Sequence, residues 1–150
     1  MSESNIILIP FNMDFIPSRE QALKINQILQ NYFEMHEKFT LNFTLNTEFY
    51  DSGMNFGEIL CPFCNKVIHI EWWQEQMNKC YIPEYGFQHL EIITPCCQKY
   101  TTLNDLKYYY EAGFSRFAII IHDMANIEQD IIDRISMELQ SPLKIIIERT

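Results

Sequence analysis

Residues 114–148 read FSRFAIIIHDMANIEQDIIDRISMELQSPLKIIIE, and this stretch decides the fold class. Residues 114–122 form a nearly continuous apolar run of strand length, the pattern of a buried strand. Asn126, with Gln129 three residues on, marks a helix start. Ile127, Ile131, Ile135 and Leu139 then share one face, and Glu128, Asp130, Asp133 and Glu138 supply its solvated side. Ser141 and Pro142 end the helix, and residues 143–148 return as a strand, so this part of the chain is a βαβ unit.

The N-terminal part repeats that order. Residues 6–11 (IILIPF) read as a buried strand. Ser18 and Gln21 have capping-box spacing, and Ala22, Ile25, Ile28, Leu29, Tyr32 and Phe33 follow at helical period. Phe39, Leu41, Phe43 and Leu45 alternate with Thr40, Asn42 and Thr44, which predicts a half-buried strand with those four apolar residues inward. Gly53 and Gly57 mark a loop. The expectation is one α+β domain over residues 1–150, a ferredoxin-like βαβ…βαβ sheet with helices on one face, interrupted by a Cys-rich insert at 58–116. Inside the insert the pattern predicts a hairpin around residues 61–64, a helix at 71–80, a strand at 87–94 and a second helix at 103–112, opened by Thr102 with Asp105 and stopped by Gly113. No internal repeat stands out.

Of the 150 residues, 47% are hydrophobic, 21% charged and 14% aromatic, enough for a real core and incompatible with wholesale disorder. The net charge is −9, spread as −4 over residues 1–57, −2 over 58–116 and −3 over 117–150. Without a basic patch, neither nucleic acid nor an anionic membrane is the expected partner. No run approaches the roughly 18 apolar residues of a membrane span. The first residues lack a basic segment followed by a long apolar one, so the expectation is a cytoplasmic protein.

In a reducing compartment, five cysteines read as metal binding or redox chemistry before they read as disulfides. Cys61-Pro-Phe-Cys64 is followed, after 31 intervening residues, by the adjacent Cys96 and Cys97. Thiolates are the best structural ligands for Zn²⁺, and a C-x₂-C turn brings two sulfurs to one ion and aims N–H groups at them. This stretch resembles zinc-ribbon proteins, which implies a structural Zn²⁺ held by Cys61, Cys64, Cys96 and Cys97. The second half departs from the ribbon pattern. If Cys97 and Gln98 match Cys64 and Asn65, Cys96 falls where Phe63 lies and Thr94 falls where a cysteine belongs. His89 is then the alternative to Cys96 as fourth ligand. The run from Pro95 through Asp105 and on to Phe117 also resembles an uncharacterised bacterial family of small proteins, in which a CPxC is followed by a PCC motif. That resemblance implies architecture and no activity.

CPFC followed by Thr94 and Pro95 also resembles glutaredoxin-like redox proteins, in which the first cysteine sits at a helix N-terminus. Here the residues after Cys64 are β-formers, which removes the support a thiolate would have. Cys80 shares a helical face with Trp73 and Met77 and reads as a core thiol. His69 alternates with Ile68 and Ile70 as a polar residue of a strand, and His122 with Asp123 reads as a turn after a strand. Trp72, Tyr108 and Tyr109 read either as a contact patch or as part of the insert's core. No phosphate loop, dinucleotide fingerprint or nucleophile elbow is present, and no residue is assigned a catalytic role. The functions expected are a zinc-stabilised protein-interaction module, including an immunity or regulatory role in which an acidic protein masks a basic partner, then a nucleic-acid-binding ribbon, then a thiol redox protein.

Overall fold

A computed structural model describes residues 3–34 and 38–150. The protein is α+β. Its main sheet has four strands, β1 (Ser4–Pro10), β2 (Phe39–Tyr50), β10 (Gly113–Ile121) and β11 (Leu143–Arg149), in the order β11-β1-β10-β2 with every pairing antiparallel. Helix α1 (Arg19–Phe33) links β1 to β2, and α3 (Gln129–Leu139) links β10 to β11. Both helices lie on one face of the sheet. Ile25 and Leu29 of α1 and Ile131, Ile132, Ile135 and Leu139 of α3 close a core with Ile6, Leu8, Phe117, Ile119 and Ile121. The intervening strand positions Ile7, Ile9, Ala118 and Ile146 are buried on the opposite face, which explains why the two central strands carry unbroken apolar runs.

The α1 capping box forms as its sequence predicts. Gln21 N donates to Ser18 Oγ at 3.1 Å, and Ser18 N donates to Gln21 Oε1 at 2.9 Å. Helix α3 begins three residues later than expected, at Gln129 rather than at Asn126, and its capping residue Glu128 makes no side-chain cap. Ile127 still packs on the core from the preceding loop.

The alternation in β2 fails after Phe43. Residues 44–47 face the single residue Arg116, because the register jumps from Phe43 opposite Phe117 to Glu48 opposite Ser115. Leu45, in this bulge, is 85% exposed and is not the inward residue expected, whereas Phe43 keeps the core face, half exposed but with its ring 5.0 Å from that of Phe117. Ser115 holds the β10 side of the irregularity, with Oγ donating to Phe117 O at 2.7 Å and accepting from Phe117 N at 3.1 Å. Past the bulge the two strands run on into the insert, where Phe49 and Phe114 stack with ring centres 4.8 Å apart.

The insert is built from short pieces: β3 (Ile59–Leu60), β4 (Val67–Ile68), α2 (Ile70–Cys80), β5 (Tyr81–Ile82), β6 (Gly86–Phe87), β7 (Glu91–Ile93), β8 (Tyr100–Thr102) and β9 (Lys107–Tyr108). The helix expected at 103–112 is absent. A single 3₁₀ turn at Leu103–Asp105 is followed by β9, which pairs with β3. Tertiary contacts override the local pattern here. Tyr108 is buried, accepts from Trp73 Nε1 at 3.1 Å and donates to Leu103 O at 2.7 Å. A second core gathers Ile59, Ile68, Trp73, Leu90, Ile92, Leu103, Tyr108 and Phe114. Of the three aromatics read either way, Tyr108 belongs to this core, Trp72 packs at its edge and Tyr109 is exposed.

Asn104 ties the insert to the sheet. Its buried Oδ1 accepts from Phe114 N at 2.9 Å and from Lys144 Nζ at 3.2 Å, while its Nδ2 donates to Phe11 O at 3.2 Å. Lys144 also donates to Asn104 O and Ala112 O, at 3.0 and 3.4 Å, and its burial pushes the ammonium below the ordinary lysine range. Asn104→Ala removes three partners at once and leaves the Phe114 N–H buried and unpaired. The expected loss is about 2–3 kcal/mol in denaturant unfolding, and a loss below about 0.5 kcal/mol would contradict this role.

Candidate metal centre

Two hairpin loops present the cysteines. In the first, Cys61 N donates to Lys66 O at 2.9 Å and Asn65 N donates to Cys61 O at 2.9 Å, with Asn65 in the left-handed region at φ 62°. In the second, Thr94 N donates to Lys99 O at 2.9 Å and Gln98 N donates to Thr94 O at 3.0 Å, with Gln98 at φ 57°. The loops therefore correspond position by position in their hydrogen bonds: Cys61 with Thr94, Phe63 with Cys96, Cys64 with Cys97. The flanking ladders correspond too, Ile59 pairing with Ile68 as Ile92 pairs with Thr101.

The match of Cys97 and Gln98 to Cys64 and Asn65 extends into a short internal repeat. EILCPFCNK (58–66) and EIITPCCQK (91–99) share Glu, Ile, Pro, Cys and Lys at matching places. The signal was legible, but the differing cysteine positions mask it from a search keyed on C-x₂-C.

The Sγ atoms of Cys61, Cys64, Cys96 and Cys97 all lie within 4.8 Å of one another. Cys61 and Cys97 are 3.9 Å apart, and Cys64 and Cys96 are 3.5 Å apart. A tetrahedral ion with thiolates at about 2.3 Å needs sulfurs about 3.8 Å apart, a spacing these two pairs approach. Their positions suit binding a metal ion. Cys96 belongs to the group although it comes from the tip of its loop, and His89, an exposed residue, does not.

The electrostatics of the cluster follow from its crowding. Burial pushes the Cys61 thiol up, but the N–H groups of Cys64 and Phe63, with donation from the thiols of Cys96 and Cys64, outweigh it and bring Cys61 down to about 6. Phe63 N lies 3.4 Å from that sulfur. Cys97 is pushed up to about 12, chiefly because its thiol donates to Cys64, then by desolvation and its contacts with Cys61 and Cys96. Cys96 is also raised, by desolvation first and then by contact with Cys61 and Cys64. Cations stand near both loops. Lys107 Nζ donates to Asn65 Oδ1 at 3.3 Å, and Lys99 Nζ lies 5.1 Å from the centre of the Phe63 ring.

The remaining candidates take structural places. Cys80 lies outside the thiol group, half-buried against the insert's core, and burial raises its thiol. His69 is the capping position of α2 and makes no cap with its side chain. His122 Nε2 lies 2.9 Å from Thr40 Oγ1, and Asp123 follows in a left-handed turn at φ 56°. The residues after Cys64 form a turn and β4, with α2 beginning only at Ile70, so no helix N-terminus faces the CPFC thiols. No helix among the described residues is long and apolar enough to cross a membrane. No family model matches the chain, and neither a curated protein nor a solved structure matches it.

Metal binding must displace the protons of at least Cys96 and Cys97, whose raised values keep them protonated near neutrality. Affinity therefore strengthens as pH rises, on the order of a hundredfold per unit around pH 7, read by chelator competition. A change smaller than about tenfold per unit would contradict the proton inventory.

Proposed function

We propose that the protein is a small cytoplasmic zinc protein in which a ferredoxin-like sheet carries a zinc-ribbon-like insert over residues 58–116. The observation that carries this is the convergence of four thiols, from two loops with matching hydrogen bonds, to near-tetrahedral spacing. The strand order β11-β1-β10-β2, with both helices on one face, supports the ferredoxin-like frame. Four protein ligands fill a tetrahedron and leave no open position for substrate, so the zinc acts in folding rather than in chemistry.

The working surface then serves another protein. The insert exposes Phe63, Val67, Ile70, Tyr100, Tyr109 and Tyr110, with Tyr100 81% exposed, while the chain as a whole carries a charge of −9. An acidic protein of this charge favours a partner with basic side chains, as in an immunity or regulatory pairing. Lys66, Lys99 and Lys107 near the loops are the one feature that favours nucleic acid instead. A titration with single- and double-stranded DNA and RNA at low salt separates the two. No micromolar binding is expected, and micromolar binding that weakens with salt would overturn the protein-partner reading.

Elemental analysis of protein purified without chelators should find one zinc per chain, and finding no metal would refute the centre. Cys96→Ser should weaken zinc binding by more than about tenfold. Cys80→Ala should keep full zinc and cost only about 1 kcal/mol of stability, as expected for a small truncation at the edge of a core.

A further inference from the structure

We propose that Cys64 and Cys96 form an oxidative-modification site, a thiolate pair that a hydroperoxide converts to a disulfide with release of the metal. This rests on the four-thiolate centre proposed above and adds its regulation.

The four sulfurs are unequal in access. Cys61 is 0% exposed and Cys97 is half-buried, whereas Cys64 and Cys96 are both exposed. The sulfurs of these two exposed residues are also close neighbours, 3.5 Å apart. The asymmetry has a specific origin in the repeat. In the first loop the leading ligand, Cys61, occupies a fully buried position. In the second loop that buried position holds Thr94, also 0% exposed, whose Oγ1 accepts from Lys99 N at 3.1 Å. The fourth ligand has moved two residues along to the loop tip, where the first loop carries the exposed Phe63. Relative to a pair of C-x₂-C loops, one thiolate has been carried from the interior to the surface and set beside Cys64.

Of the competing pairings only Cys64 with the half-buried Cys97 is geometrically open, and it would overturn the proposal if it formed first. Adjacent Cys96 and Cys97 have Cα atoms about 3.8 Å apart across a trans peptide. That is shorter than the roughly 4.4–6.8 Å that disulfides span. Any bridge to Cys61 requires the oxidant or the attacking sulfur to reach a buried atom.

The chemistry balances with a hydroperoxide as oxidant. The Cys64 thiolate attacks the O–O bond, giving a sulfenic acid and expelling hydroxide. The Cys96 thiolate then attacks the sulfenic sulfur, the S–S bond forms and a second hydroxide leaves. Two electrons pass from the two sulfurs to the peroxide, and two protons from solvent convert the hydroxides to water. Only Cys61 and Cys97 remain as thiolate ligands, too few to hold the ion in a tetrahedral site, and it dissociates.

The test uses full-length protein with its zinc content measured first. One equivalent of hydrogen peroxide should release one zinc to a chromogenic chelator. Peptide mapping after alkylation should find Cys64 joined to Cys96, with Cys61, Cys80 and Cys97 alkylated, and a dithiol with added zinc should restore the starting state. The double variant Thr94→Cys with Cys96→Phe gives the second loop the CPFC arrangement of the first. It should keep zinc and release it to peroxide at least about tenfold more slowly, since reactivity follows access. Zinc retained with all thiols reduced under excess peroxide would overturn the proposal. So would a first disulfide that includes Cys61 or Cys97, or oxidation of Cys80 ahead of the cluster. Protein that holds no zinc before peroxide is added would instead overturn the metal centre, and this inference with it, so the two failures are told apart by the initial metal content.

Discussion

Four thiols held within 4.8 Å of one another cannot all ionise unless a cation sits among them. Without one, the cluster divides its protons unevenly. Cys61 is favoured as the anion by backbone N–H groups, while Cys96 and Cys97 are driven to stay protonated. A divalent ion at the centre removes this conflict, because it prefers every sulfur ionised and draws the two loops to the same point. The two loops that meet at that point belong to the insert. Its strands are only two or three residues long, and hairpins of that size are not stable alone.

The insert has a second anchor in the sheet from which it grows. The bulge at residues 44–47 lets β2 and β10 continue past the helix-covered core and deliver Phe49 and Phe114 to the insert's aromatic cluster, where Phe49 also meets Trp73 at 5.6 Å. Asn104 and Lys144 close the junction with hydrogen bonds that cross between the two parts. The centre is thus fastened at one end by packing and at the other by its own ligands. Exposure falls on the loop tips, where Cys64, Cys96 and Phe63 meet solvent.

Much of this was legible in the sequence where local signals and tertiary demands agree. The capping box at Ser18, the inward faces of α1 and α3, the buried central strands and the equivalence of Cys97 with Cys64 all follow from period and spacing. The failures share one cause. The inward placement of Leu45 assumed an unbroken ladder, and a bulge depends on the partner strand, which no local pattern records. The helix expected at 103–112 had a plausible start and stop, but Tyr108 is worth more in the aromatic core than in a helical turn. At the site, the grouping of Cys61, Cys64 and Cys97 was readable from spacing. The choice between Cys96 and His89 was not, because it turns on the backbone path of the second loop.

The central claim is that the metal organises the insert while the sheet stands without it. Amide hydrogen exchange on the zinc-loaded protein, before and after chelation, measures this directly. The account predicts that the N–H groups of Cys61, Asn65, Thr94 and Gln98, all hydrogen-bonded within the two loops, lose protection when the metal is removed, while those of β1 and β10 keep theirs. Equal protection of the loop amides with and without zinc would contradict it.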